Sequence, residues 1–214
     1  MADMMIIESL REAMTKTLPG RKSQLQMAPG YSKPYTQIKP GHQVACVLVL
    51  LFVQNREWHV TYIQRPVSNA EDRHAGQISF PGGRLEDNDP SLEYCVLRET
   101  HEEIGVDPGA VQLIGKLTEL YVWVSNYYVH PFVGFMEGVP TFTPQVSEVS
   151  KVITPSLEYM TNERILKRGK IENSRYIIQD VPYFDLYGDK LWGATAMITH
   201  EFLEIVHSLP LRIA

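Results

Sequence analysis

Cysteine is scarce in this chain, and long apolar runs are missing. Of the 214 residues two are cysteines: Cys46 sits in an apolar run and Cys95 in a helical stretch, without the spacing of a metal site or the number needed for a disulfide framework. Reduced thiols in a cytoplasmic protein are therefore expected. No segment approaches the ~20 apolar residues needed to cross a bilayer. The N-terminus also lacks a cationic region leading into an apolar one of signal-peptide length. Positive charge is in short supply as well, with 20 Lys and Arg against 25 Asp and Glu and a formal net charge of -5. Such a chain has no broad attraction for nucleic acid or an anionic membrane, and neither is expected as a partner. Internal repeats and low-complexity tracts are absent, so the chain reads as one globular domain with extensions.

What is present concentrates between Gly76 and Val106. Gly76-Gln77-Ile78-Ser79-Phe80-Pro81-Gly82-Gly83 is followed by an acidic turn through Glu86, Asp87 and Asp89, then by Arg98-Glu99-Thr100-His101-Glu102-Glu103-Ile104-Gly105-Val106. The stretch predicts a strand, a tight glycine loop and a helix. Asp89 as N-cap, Pro90 in the first helical position and Gly105 as the stop bound that helix. At ~100° per residue, Leu92, Val96, Leu97, Thr100 and Ile104 share an apolar side, with Glu99 and Glu103 on its edge one turn apart and Glu102 beside them.

Clustered, partly buried carboxylates repel one another, and burial raises the cost of ionising each. Read alone, a Glu-x-x-Glu-Glu run is more often a solvated helix face balanced by bases such as Arg98. The preceding glycine loop and the apolar edge position favour a divalent cation instead. Oxygen ligands suit Mg²⁺ or Mn²⁺ rather than Zn²⁺, and such ions commonly share their coordination with substrate phosphates.

The order Gly83, acidic residue, Arg98-Glu99-x-x-Glu102-Glu103-x-Gly105-Val106 resembles the Nudix box of the Nudix hydrolases, which cleave nucleoside diphosphates linked to another group. Asp89 stands where that pattern has Glu, and the interval from there to Arg98 is one residue longer. The resemblance implies a metal set of Glu99, Glu102, Glu103 and the Gly83 carbonyl. Arg98 would orient the carboxylates by a bidentate ion pair, with Asp89 serving as a cap rather than a ligand. Glu148 lies where relatives often carry a catalytic glutamate and is a candidate general base, with Glu99 as the alternative.

A narrower resemblance covers most of residues 43–206. His74-Ala75-Gly76-Gln77-Ile78-Ser79-Phe80-Pro81-Gly82-Gly83, Arg65 and Trp192-Gly193-Ala194-Thr195-Ala196-Met197 look like features of the coenzyme A pyrophosphatase branch. The branch has an Arg four residues before the glycine matched by Gly76; here that position is Asp72, with Arg73 next to it. This implies hydrolysis of coenzyme A or acyl-coenzyme A to 3′,5′-ADP and (acyl-)4′-phosphopantetheine. Arg65 is the leading candidate for substrate phosphates, beside the Gly82-Gly83 loop. The partner expected is a nucleoside diphosphate of the coenzyme A type, with a homodimer admissible. Competing readings are hydrolysis of another nucleoside diphosphate derivative, such as ADP-ribose or a dinucleoside polyphosphate, and a non-catalytic sensor on the same fold.

Along the rest of the chain, 1–41 reads as an N-terminal helix (near 4–17) and an extended segment ahead of a 42–214 domain. Strands are predicted at 44–53, 58–64, 111–117, 129–137, 149–153, 171–180 and 182–186. An aromatic loop is predicted at 119–128 and a basic turn at 164–170. A short helix at 155–159 and a final one at Gly193–Ser208 complete the pattern. The mix indicates an α/β fold with a mixed sheet, and the resemblance implies the Nudix α/β/α sandwich.

Overall fold

The computed structural model describes residues 2–30, 38–67, 74–172 and 176–209. Helix α1 (Ala2–Thr15) buries Ile7 and Leu10. After the short helix α2 (Gly20–Gln24), the apolar run at β1 (Gln43–Gln54) becomes the centre of the molecule. Its side chains alternate between two cores. Cys46, Leu48 and Leu50 enter one with Cys95, Val96 and Ile104, whereas Ala45, Val49 and Leu51 enter the other with Ile7, Leu10, Ile198 and Phe202. A strand covered on both faces reads as a continuous apolar run, and each fully buried Leu on it contributes roughly 2 kcal/mol.

One edge of β1 is shared. β2 (Glu57–Val60) pairs with its second half, Leu51 to Gln54, and β5 (Gly82–Arg84) with its first, Ala45 to Val47. Between them the chain leaves the sheet as β3 (Tyr62–Gln64) and β4 (Ile78–Ser79), which pair with each other. The single strand expected at 58–64 is thus divided at Thr61, whose amide still donates to the Leu50 carbonyl (3.0 Å) before the chain turns to another sheet. Burial on both sides of this point hides the break from any periodicity.

Helix α3 (Leu92–Ile104) follows on one face of the sheet, then β6 (Val111–Lys116), β7 (Leu120–Val122) and β8 (Tyr127–Met136). β8 runs parallel to β1 and antiparallel to β6 and β7, so the sheet is mixed. The aromatic loop expected at 119–128 therefore contains a strand, with Asn126 at positive φ in the turn of the hairpin. β9 (Lys151–Ile153) adds to β3, and α4 (Leu157–Met160) is capped by Ser156.

β10 (Leu166–Glu172), β11 (Ile177–Leu186) and β12 (Asp189–Trp192) form a further antiparallel sheet. The basic turn expected at 164–170 is mostly the strand β10. Its lysines and arginine sit on a sheet edge, where charge is common, and ion pairs from Lys167 to Asp185 and Arg168 to Asp180 tie it to β11. Helix α5 (Gly193–Ser208) packs with α1 on the face opposite α3, completing an α/β/α sandwich.

Glu201 on α5 is buried and draws three segments together. Its carboxylate accepts from the Gly20 amide (3.1 Å), the Thr118 amide (3.3 Å), the Thr118 hydroxyl (2.6 Å) and Gln24 Nε2 (2.8 Å). This holds residues 20–24, which fall in the segment expected to be extended but form α2, against α5. Glu201→Ala strands these donors and is expected to cost at least about 2 kcal/mol in urea unfolding. Faster amide exchange at Gly20 and Thr118 should accompany the loss, and an unchanged midpoint would refute the tether.

Candidate active site

The i, i+4 spacing of Cys95, Glu99 and Glu103 puts all three on the side of α3 that meets β1 and β5. Gly82 and Gly83 are required there by close approach. Gly82 has φ +140°, and a Cβ on it would stand 2.2 Å from the Cys46 carbonyl oxygen. A Cβ on Gly83 would stand 2.3 Å from Glu99 Oε2. The carboxylate of Glu99 therefore lies directly over the glycine backbone.

Glu103 is more enclosed, with a side chain 2% exposed. Its Oε2 accepts from the Gly82 amide at 2.8 Å, and its Oε1 lies 3.8 Å from Arg65 Nη1. Burial pushes its carboxyl up to about 8, against the pull of the Gly82 amide and Arg65, and Glu99 and Glu148 push further in the same direction. Burial also raises Glu99, again with Glu148 adding to the effect. Glu148 itself is exposed, on a loop fastened to the end of α3 by the Thr143 amide on the Ile104 carbonyl (2.8 Å) and the Gln145 amide on the Glu103 carbonyl (2.9 Å).

Arg98 organises the other edge. It grips Asp89 with Nε on Oδ1 and Nη2 on Oδ2, both at 2.8 Å, and its Nη1 donates to Glu99 Oε1 and Glu102 Oε2, both at 3.0 Å. Nη2 also reaches the Arg84 carbonyl at 3.2 Å. Asp89 is consequently not the helix cap. Ser91 takes that role, its Oγ accepting from the Tyr94 amide at 3.1 Å, and the helix begins two residues later than Pro90 suggested. The Arg98 grip holds the Asp89 carboxyl down to about 2.

The structure thus brings Glu99, Glu103, Gly82, Gly83 and Arg65 together, with Glu148 near enough for its charge to act on both acids. Glu102, 56% exposed, turns instead to Arg98. Among the described residues no three carboxylates, histidines or cysteines stand as a ready-made cation cage. The chemistry of the group still fits a hard divalent ion. Oxygen ligands predominate, and two carboxyls are raised by burial and mutual repulsion that a cation would relieve.

Residues 42–181 match the NUDIX domain family. The chain belongs to this family. The Nudix hydrolase NudL of Pectobacterium atrosepticum is 29% identical over 187 residues, covering 83% of this chain and 88% of that protein. Nudix hydrolase 15, mitochondrial, of Arabidopsis thaliana is 29% identical over 189 residues, covering 84% of this chain and 63% of that one. Among solved structures, a Nudix hydrolase from M. smegmatis, RenU, superposes with a TM-score of 0.54 at 14% identity over 79% of this chain and 89% of that chain. That likeness shows the Nudix fold. As a Nudix protein the chain is a pyrophosphohydrolase, of a family that generally uses divalent metal ions.

Several polar residues of this Nudix chain have structural work. His101 Nδ1 bonds the Val106 carbonyl at 3.1 Å beyond the helix end. Tyr121 bonds Asn126 and the Lys39 amide, and Lys39 lies over the Trp123 ring, so this aromatic cluster pins residues 38–41 to the β7–β8 hairpin. Asp72 and Arg73 lie outside the described residues. Ser91 was legible as a cap in the sequence, but no local signal marks Gln145.

Two outcomes are expected. Gly83→Ala meets only the tip of Glu99, so it should keep near-native thermal stability while lowering turnover at least ~10-fold, whereas Gly82→Ala collides with backbone and should destabilise the fold. Equal stability of the two would contradict this geometry. Asp89, depressed when folded, contributes stability above its ordinary value near 4 that is lost as pH falls towards 2. Acid titration should therefore find Asp89→Asn less stable at neutral pH and less sensitive between pH 4 and 2; parallel curves would disprove it.

Proposed function

We propose that this Nudix chain hydrolyses the pyrophosphate of coenzyme A or an acyl-coenzyme A, giving 3′,5′-ADP and (acyl-)4′-phosphopantetheine, with Mg²⁺ or Mn²⁺ as cofactor. The observation that supports the substrate class is the joining of the two segments that resemble the coenzyme A branch. Gln77, upstream of the glycine loop, donates from Nε2 to Tyr176 Oη at 2.9 Å, and Tyr176 packs edge-on against Trp192, which opens α5. This contact supports reading both segments as parts of one site.

In this reading Glu99, Glu102, Glu103 and the Gly83 carbonyl would hold the cation. The bound ion supplies charge neutralisation on the phosphate oxygens. Arg98, anchored by Asp89, keeps Glu99 in place. Arg65 shares its charge between Glu103 and an incoming phosphate, which the Gly82-Gly83 backbone can approach closely for lack of side chains. Glu148 takes the proton from the attacking water, being the acid that faces the site from a separate segment.

Product identification across a panel of coenzyme A, ADP-ribose and a dinucleoside polyphosphate, each with Mg²⁺ or Mn²⁺, tests the substrate. Release of 3′,5′-ADP from coenzyme A should exceed release of AMP from ADP-ribose; the reverse ranking would assign another nucleoside diphosphate derivative. Glu103→Gln and Glu102→Gln should each lower turnover at least ~100-fold with the fold intact. Near-normal turnover of both would remove the metal assignment.

A further inference from the structure

The polar and aromatic groups joining the 74–77 turn to the C-terminal sheet are not used by the reaction just described. Gln77 is held at both ends, Oε1 lying 3.0 Å from His74 Nδ1 and Nε2 donating to Tyr176 Oη at 2.9 Å. Tyr176 and Trp192 meet edge-to-face with centroids 6.2 Å apart and planes at 67°. Both rings are partly open to solvent, unlike the core pair of Tyr62 and Phe80, which is buried.

Their position relative to the carboxylates follows from the backbone. Gln64 pairs with Ile78, and the Arg65 amide donates to the Gln77 carbonyl at 3.0 Å, so Gln77 lies beside Arg65, whose guanidinium points at Glu103. Another aromatic pair open to solvent on one ring, Tyr159 stacked on Tyr187 at 4.5 Å, has no such placement. Tyr187 feels the charge of Glu57, which pairs with Gln54 at the far end of β1 from Gly82 and Gly83.

We propose that Tyr176 and Trp192, oriented by Gln77, form the subsite for the aromatic base of the substrate's nucleotide half. The proposal rests on the pyrophosphohydrolase reading of the neighbouring carboxylates. A nucleoside diphosphate carries a concentrated charge in its middle and a flat, weakly polar base at one end. The charge belongs at the carboxylates with their cation and at Arg65; the base needs ring faces nearby. Fixing the tyrosine through an amide that is itself fixed removes ring motion before binding and lowers the entropy cost of stacking. Stacking tolerates any base, so this wall selects nucleotides over base-free phosphates rather than one base over another.

Equilibrium titration of the full chain in chelator, without turnover, tests this with 3′,5′-ADP and its base-free counterpart, ribose 3,5-bisphosphate. The wild-type protein should favour the base-bearing ligand by about 10- to 100-fold. Tyr176→Leu and Trp192→Leu should each remove most of that preference, and Tyr176→Phe, which keeps the ring but loses the Gln77 bond, should retain part of it, with 4′-phosphopantetheine affinity unchanged throughout. Equal wild-type affinities overturn the proposal without reference to any variant. So does an undiminished preference in folded leucine variants, or a loss that falls on 4′-phosphopantetheine instead. Base preference in a protein that hydrolyses no nucleoside diphosphate derivative would overturn the proposed function and leave this subsite standing.

Discussion

An acidic side chain almost sealed from water, held by one backbone amide and one distant guanidinium, constrains everything around it. Glu103 reaches the Gly82 amide at 2.8 Å and Arg65 at 3.8 Å, neither of which offsets the cost of burying its charge, and its carboxyl rises to about 8. A helix must present it, a side-chain-free loop must lie within hydrogen-bonding distance, and the sheet edge must position that loop. Each requirement appears in a different part of the chain. Glu99, one turn earlier, makes a similar demand on Gly83, so two consecutive glycines serve two acidic positions one helical turn apart.

The shared edge of β1 meets these demands. Because β2 occupies its second half and β5 its first, the intervening chain departs as β3 and β4 and carries Arg65 to Glu103, with Gln77 beside it. β9 closes on β3 from the other side and follows the loop bearing Glu148. Arg65 and Gln77 are consequently neighbours on a single excursion from the central sheet. Opposite them, the Arg98 grip on Asp89 fastens the acidic turn to the helix, and Glu201 secures the N-terminal segment well away from the chemistry.

Local signals carried much of this architecture. The helix α3 and its stop at Gly105, the buried run of β1, the amphipathic α1 and the whole of α5 follow from spacing and punctuation alone, as does the clustering of Glu99 and Glu103. Elsewhere long-range pairing decides the structure. β7 was hidden in an aromatic loop and β10 in a basic stretch because their partners, not their own residues, make them strands. Asp89 looked like a cap because the competing bond to Arg98 lies nine residues away, while Ser91, two residues on, was free to do the capping.

By itself the sequence determined the α/β class, the Nudix box, the glycine loop beneath the carboxylates and the presence of an acidic site in need of a counter-charge. These are matters of residue type and spacing within one helix and its adjoining turn, where geometry is set by the backbone period. Only the tertiary structure decided that Glu103 is the sealed acid and Glu102 the exposed one, that Arg65 faces Glu103, and that Gln77 meets Tyr176 across 99 positions of sequence. Burial and charge coupling depend on which distant segments close over a side chain, and no local pattern encodes that.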